Sequence, residues 1–141
     1  MRTITNTIDI ASPAHEVYVA LRTLDGYPGW LHRSVVYRGT RAGDGSGAYV
    51  DSTTVGRMRG TLTGEDPDRS LRFHQAKPSG SVDACIRYDL EERDGHTRVV
   101  RVGELTTHGV FRAMQPALVR MAAAESRRTM RALKAHVEHP A

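Results

Sequence analysis

Glu125 is the residue best placed to do chemistry in this chain, because it falls inside an apolar stripe. Phe111, Met114, Leu118, Met121, Ala122, Thr129, Ala132 and Leu133 recur at helical spacing between about Val110 and Val137, while Arg112, Arg120, Arg127, Arg131 and Lys134 fall on the opposite side. A carboxylate in an apolar contact needs an ion-pair partner, hydrogen bonds from hydroxyls, or a cavity. In a cavity it would be desolvated, with its pKa raised, and could act as a general acid or base.

Tyr88 is the second candidate. Val82, Ala84, Ile86, Tyr88 and Leu90 alternate with Asp83, Arg87, Asp89 and Glu91, so Ile86 and Tyr88 point inward from a strand. Phe73 and Gln75 share that orientation if Leu71 is core. Arg101 is third. It shares a face with Val99 and Leu105, but Val100 and Val102 make the other face apolar as well, so alternation leaves Arg101 either inward or exposed. Tyr49, Asp51, Thr53 and Val55 form an unusually polar set for a core strand. A polar cavity wall and an exposed convex face both fit them.

Other chemistries find little support. No serine sits on a nucleophile elbow and no Cys–His–acid set is visible, so any catalysis is expected to be noncovalent. His136 and His139 have metal-compatible spacing but sit in the last six residues. His15-Glu16 lacks the second histidine of a zinc-protease motif, and His32, His74, His96 and His108 show no ligand spacing, so no metal is expected. No cofactor is expected either. Gly43, Gly45 and Gly47 lead into a strand and read as a turn, not a phosphate cradle. The single cysteine, Cys85, rules out an internal disulfide and a cysteine-cluster metal site.

The elements that position these residues follow from the same patterns. Thr3 to Ile10 is a strand, with Ile4, Ile8 and Ile10 on one face. Ser12 and Pro13 start a short helix as N-cap and first helical residue, and Val17, Ala20, Leu21 and Leu24 are its buried stripe. A second short turn carries Trp30 and Leu31. Strands are then expected at Ser34 to Arg38, Ala48 to Met58, Gly60 to Glu65, Leu71 to Ala76, Val82 to Glu91 and Thr97 to Thr107, with a hairpin at Asp94-Gly95. The long helix closes the chain. Short turns between consecutive strands imply an antiparallel sheet, so the fold class is α+β.

The chain has 141 residues, 39% of them hydrophobic and 26% charged, which suits one globular domain over 1–141. No apolar run is long enough to span a membrane. The first residues lack an apolar signal segment, and a cytoplasmic protein is expected. The net charge is +4, but the arginines are spread along the chain among Asp and Glu, so nucleic-acid binding is not expected. The exposed faces of the first and last strands are not apolar enough to argue for a strong oligomer interface.

Several segments resemble the START-like (SRPBCC) superfamily, in particular its polyketide cyclase/dehydrase-like group. They are Ile8-Asp9-Ile10-Ala11-Ser12-Pro13-Ala14 running into Val17, Tyr27-Pro28-Gly29-Trp30, Glu65-Asp66-Pro67 before Leu71 and Phe73, Tyr88-Asp89-Leu90 before Gly95-His96-Thr97-Arg98-Val99, and Leu133-Lys134-Ala135. The likeness implies a helix-grip fold: a curved antiparallel sheet of about six to seven strands around a long C-terminal helix, with two short helices after the first strand. It implies a cavity between sheet and helix that the Glu125 stripe faces. It favours Val99, Leu105 and hence Arg101 inward, and places Trp30 at the cavity mouth.

On this reading the protein binds a small, largely apolar molecule (polyketide-, lipid- or aromatic-like) in the cavity. Trp30, Asp51, Thr53, Phe73, Gln75, Ile86, Met114, Leu118, Met121 and Ala122 would contact it. The alternative is a cyclase or dehydratase in which Glu125 transfers a proton and Arg101 or Tyr88 stabilises an enolate. A third reading is a protein-interaction role with the interior filled by Met114, Met121, Phe73 and Tyr88.

Overall fold

Alternation along the sequence becomes strand pairing in the structure. A computed structural model describes residues 1–31, 37–42, 48–53 and 55–139. The strands are β1 (Arg2–Ile10), β2 (Tyr37–Ala42), β3 (Ala48–Thr53), β4 (Gly56–Asp66), β5 (Ser70–Ala76), β6 (Val82–Arg93) and β7 (His96–Thr107). They form one antiparallel sheet in the order β1-β7-β6-β5-β4-β3-β2. Only β1 leaves chain order, pairing with β7 from Arg2 opposite Leu105 to Ile10 opposite Thr97. The chain therefore crosses from one edge of the sheet to the other between β1 and β2. It does so through α1 (Ala14–Arg22), a 3-10 turn (Leu24–Gly26) and α2 (Tyr27–Trp30). After β7 come a single turn, α3 (Val110–Ala113), and the long α4 (Gln115–Glu138). This is the helix-grip arrangement.

The grip is packed at one end. Val17 and Leu21 of α1, Leu71 of β5, Val99 of β7 and Leu133 of α4 are fully buried, and Ile10, Trp30 and Met130 join the same cluster. Each such aliphatic side chain contributes roughly 1.5–3 kcal/mol through burial. Polar ties hold α4 to β1: Ser126 Oγ donates to Asn6 Oδ1 at 2.5 Å and Lys134 Nζ donates to the Asp9 carbonyl at 2.7 Å. Asn6 shares the inward parity of Ile4 and Ile8, and Ser126, 1% exposed, gives its amide oxygen a partner.

Some local expectations are corrected. Ser12 does not cap α1. Its carbonyl instead accepts a bond from Thr97 Oγ1, Pro13 occupies the cap position, and the Ala14 amide donates to the Glu92 carboxylate at 2.7 Å. A distant glutamate thus supplies the acceptor and negative charge that a helix N-terminus favours. The helix expected from Val110 onward is two helices. Pro116 has no amide to continue the ladder and its ring crowds the carbonyl one turn back, so the chain breaks at Met114 (φ −89°, ψ 2°). The strand expected over Ala48 to Met58 turns before Gly56, whose φ of +107° suits glycine, and Thr53 pairs with Gly56. The second strand is described from Tyr37. Residues 34–36, the expected 43–47 turn and His32 lie outside the described residues. The Asp94-Gly95 hairpin has both central residues at positive φ (53° and 78°), the geometry a two-residue primed turn needs.

A polar clamp at the edge of the core makes stability pH-dependent. Arg22 Nε and Tyr18 Oη both donate to Glu65 Oε1, at 2.8 and 2.9 Å, tying α1 to β4. The Arg22 hydrogen bond, helped by Tyr18, holds the Glu65 carboxyl below the ordinary glutamate value of 4.5. At the other end, the Ala11 amide and then Lys134 lower the Glu138 carboxyl. A carboxylate with a depressed folded pKa stabilises fully above its unfolded pKa and loses that contribution as pH falls through the folded one. Denaturant melts should show stability falling below about pH 4.5, and Glu65→Gln should flatten that slope, its cost being present at pH 7 and fading as pH falls.

Candidate functional site

The N-terminal half of α4 stands off the sheet and leaves two adjoining hollows. The first, about 110 Å³, lies between the aromatic residues Tyr27, Tyr49, Phe73 and Tyr88 and the α4 residues Glu125 and Thr129. The second, about 160 Å³, is mainly aliphatic, walled by Ile4, Met58, Val82, Leu105, Leu118 and Met121 among others. Thr53, Gln75, Ile86, Arg101 and Glu125 line both and form a waist between them. The interior is therefore not filled, although Phe73 and Tyr88 floor it as edge-on neighbours with ring centroids 6.0 Å apart.

The waist is the polar part. Arg101 Nε donates to Tyr88 Oη at 3.1 Å, and the guanidinium carbon stands 5.7 Å from the Tyr88 ring centroid. Arg101 and Tyr88 are directly opposite on β7 and β6, so the sheet register holds the pair together. Tyr49 Oη donates to Gln75 Oε1 at 2.9 Å. The Tyr49 ring lies over Gly60, where a Cβ would overlap the ring carbons. Burial, with the nearby Asp51 carboxylate, raises the Tyr49 phenol. Burial likewise raises the phenol of Tyr27, whose hydroxyl donates to the Leu21 carbonyl. Both phenols stay protonated and serve as donors.

Glu125 is 17% exposed, and both its oxygens meet Arg128, at 2.5 and 3.2 Å. The cavity edge thus carries a pair of opposite charges one helical turn apart. Arg128 is no part of the solvated back of α4, as its place in an arginine-rich stretch suggests. Glu-x-x-Arg spacing along a helix was the available signal for the pair.

Eleven of the thirteen residues singled out in the sequence line the hollows: Glu125, Arg101, Tyr88, Asp51, Thr53, Phe73, Gln75, Ile86, Leu118, Met121 and Ala122. Two are not part of that lining. Trp30 is buried in the packed end, 4.7 Å from Tyr27 and stacked on His136 at 5.7 Å between centroids. Met114 sits at the α3–α4 break and is 47% exposed, because the break turns it off the α4 stripe. Tyr27, Met58 and Gly103 line the hollows without having been singled out. Tyr27 follows a turn with no alternation to orient it. Met58 was misplaced with its strand, and Gly103 has no side chain to mark a face.

A sheet wrapped around a helix, with a hollow under the helix's first half, defines a helix-grip protein of START-like architecture. Sequence comparison gives the family. The profile described as polyketide cyclase / dehydrase and lipid transport matches residues 1–138, and the chain belongs to that family. No curated protein matches the sequence. Among similar solved structures is a conserved protein from Geobacillus kaustophilus (15% identity, TM-score 0.75, covering 96% of this chain and 95% of that one). A START superfamily protein from Mycobacterium smegmatis is 12% identical with a TM-score of 0.74, covering 99% of each chain. The Aha1 dimer from Colwellia psychrerythraea is 18% identical with a TM-score of 0.65, covering 99% of this chain and 98% of that one. At these identities the likeness is one of fold. Family membership supports a ligand-binding role in general terms. Among the described residues, no helix is long and apolar enough to cross a membrane.

Proposed function

We propose that this protein binds a small, largely apolar molecule of polyketide-, lipid- or aromatic-like character in the two-part cavity. The observation that carries the reading is the waist. Arg101, Gln75 and Glu125, each held by a neighbouring side chain, bring polar groups to a hollow that a packed core would fill with methylenes. An aliphatic hollow on one side and an aromatic one on the other suit a ligand with a hydrocarbon part, a ring and an oxygen between them. Arg101 is the group to hold that oxygen. Native mass spectrometry of gently purified protein, with fluorescence enhancement of an apolar probe dye, tests the proposal. A co-purifying apolar compound that the dye displaces supports it. An empty protein that fails to enhance the dye refutes it.

One observation favours an enzymatic version. Arg101 and Tyr88 are hydrogen-bonded to each other at the cavity wall that Glu125 faces, so a guanidinium and a phenol converge where an enolate oxygen could be held. Glu125 would move the proton. With a ligand in hand, Glu125→Gln should keep its affinity within a few-fold but slow single-turnover conversion by about 100-fold or more. Equal rates in both proteins would leave carriage as the function.

A further inference from the structure

The opposite side of the sheet gathers a second set of chemically able side chains. Phe73, Gln75, Ala84 and Ile86 point toward the cavity, so the residues between them, His74 on β5 and Asp83 and Cys85 on β6, point outward. His74 pairs directly with Cys85 across the two strands, and Asp83 lies on the same face two residues before the cysteine. An imidazole nitrogen, a carboxylate oxygen and the sulfur all fall within 4.8 Å of one another. His74 Nε2 and Asp83 Oδ2 are already 2.9 Å apart. Among the described residues, this is the one group of three such side chains gathered closely enough to share an ion.

We propose that His74, Asp83 and Cys85 form a binding site for a zinc-like divalent cation on the outer face of the sheet. The donor set decides the metal class. One nitrogen, one oxygen and one thiolate sulfur suit Zn²⁺ or Co²⁺, whereas Mg²⁺ and Ca²⁺ take oxygen ligands. Tetrahedral bonds of about 2.0–2.3 Å need the three atoms to close by little more than an ångström, within reach of exposed side chains by small rotations. Glu104 on β7 pairs directly with Cys85 and lines the same outer hollow as His74 and Cys85, from which a fourth ligand could come. It would ligate there or hold a bound water. Arg87, a neighbour on this face, is engaged by Asp89 at 2.8 Å and does not compete for these carboxylates. Burial and the Asp83 and Glu104 charges raise the Cys85 thiol. The same two carboxylates attract a cation, which takes the place of the thiol proton.

The ligands come from neighbouring strands, so spacing along the chain conceals them. The site is separated from the cavity by the thickness of the sheet and does not depend on what the cavity holds. A metal here would pin β5 to β6 at the strands carrying Phe73, Gln75 and Ile86.

Cobalt and zinc titrations of the full chain test this. Stoichiometric Co²⁺ binding to the wild-type protein should give a thiolate-to-cobalt charge-transfer band in the near ultraviolet, which excess Zn²⁺ abolishes. Competition with a chromogenic chelator should show Cys85→Ser and His74→Gln each weakening Zn²⁺ binding by more than the roughly 10–100-fold typical of outer-shell changes. Glu104→Gln should weaken it by about tenfold. All three positions are solvent-facing, so circular dichroism should show the variants folded. A cobalt spectrum with no thiolate band overturns the proposal without any variant. So does Zn²⁺ affinity unchanged by Cys85→Ser and His74→Gln, which would place the ion on other surface histidines.

Discussion

An Ala122→Trp substitution is expected to abolish ligand binding while leaving the protein folded. Ala122 projects from α4 into the aliphatic hollow of about 160 Å³, and an indole is of the same order of size. Overpacking a filled core costs about 1–3 kcal/mol because neighbours must leave their rotamers. Here the new side chain enters existing space and covers apolar wall, a favourable burial. Thermal melts should therefore show the same stability or a small gain. Binding should weaken by about 100-fold or more, close to 2.7 kcal/mol, since the hydrocarbon part of the ligand and the indole need the same volume. Titration with the ligand or an apolar dye reads the effect. Wild-type affinity in the folded variant would place the ligand elsewhere and remove the cavity proposal.

Much of the fold was legible because its strands are buried on one face only. Val82 to Leu90 alternates without interruption, and the following Asp94-Gly95 is the pair a primed hairpin turn requires. Legibility falls at the cavity. Tyr49, Asp51 and Thr53 face the hollow, yet a polar cavity wall has the composition of an exposed face, so alternation alone could not orient it. Arg101 was obscured because β7 is apolar on both sides. Its orientation rests on the pairing of Tyr88 with Arg101, a fact of register and not of composition. The α1 cap failed for a related reason: the acceptor at the Ala14 amide is Glu92, far along the chain. The α4 boundary is a different kind of miss. Phe111 and Met114 keep the apolar spacing of the later stripe, which hides the break that Pro116 makes.

The division of α4 into a packed half and a cavity half predicts unequal costs for similar truncations. Leu133 is fully buried in the cluster with Leu71, Val99 and Met130. Leu133→Ala should cost about 3 kcal/mol, through lost transfer energy plus the void left in a filled region, and lower the melting temperature by roughly 10 °C. Met121 lines the aliphatic hollow and is only half-buried. Its side chain has space on one side, so truncation forfeits fewer contacts and opens no new isolated void. Met121→Ala should cost about 1 kcal/mol or less on the same grounds, while changing ligand affinity by more than Leu133→Ala does. Paired denaturant melts at constant m-value give both numbers. Equal costs would mean that the first half of α4 packs as tightly in solution as the second. The hollow beneath it, on which both the carrier and the enzyme readings depend, would then be absent.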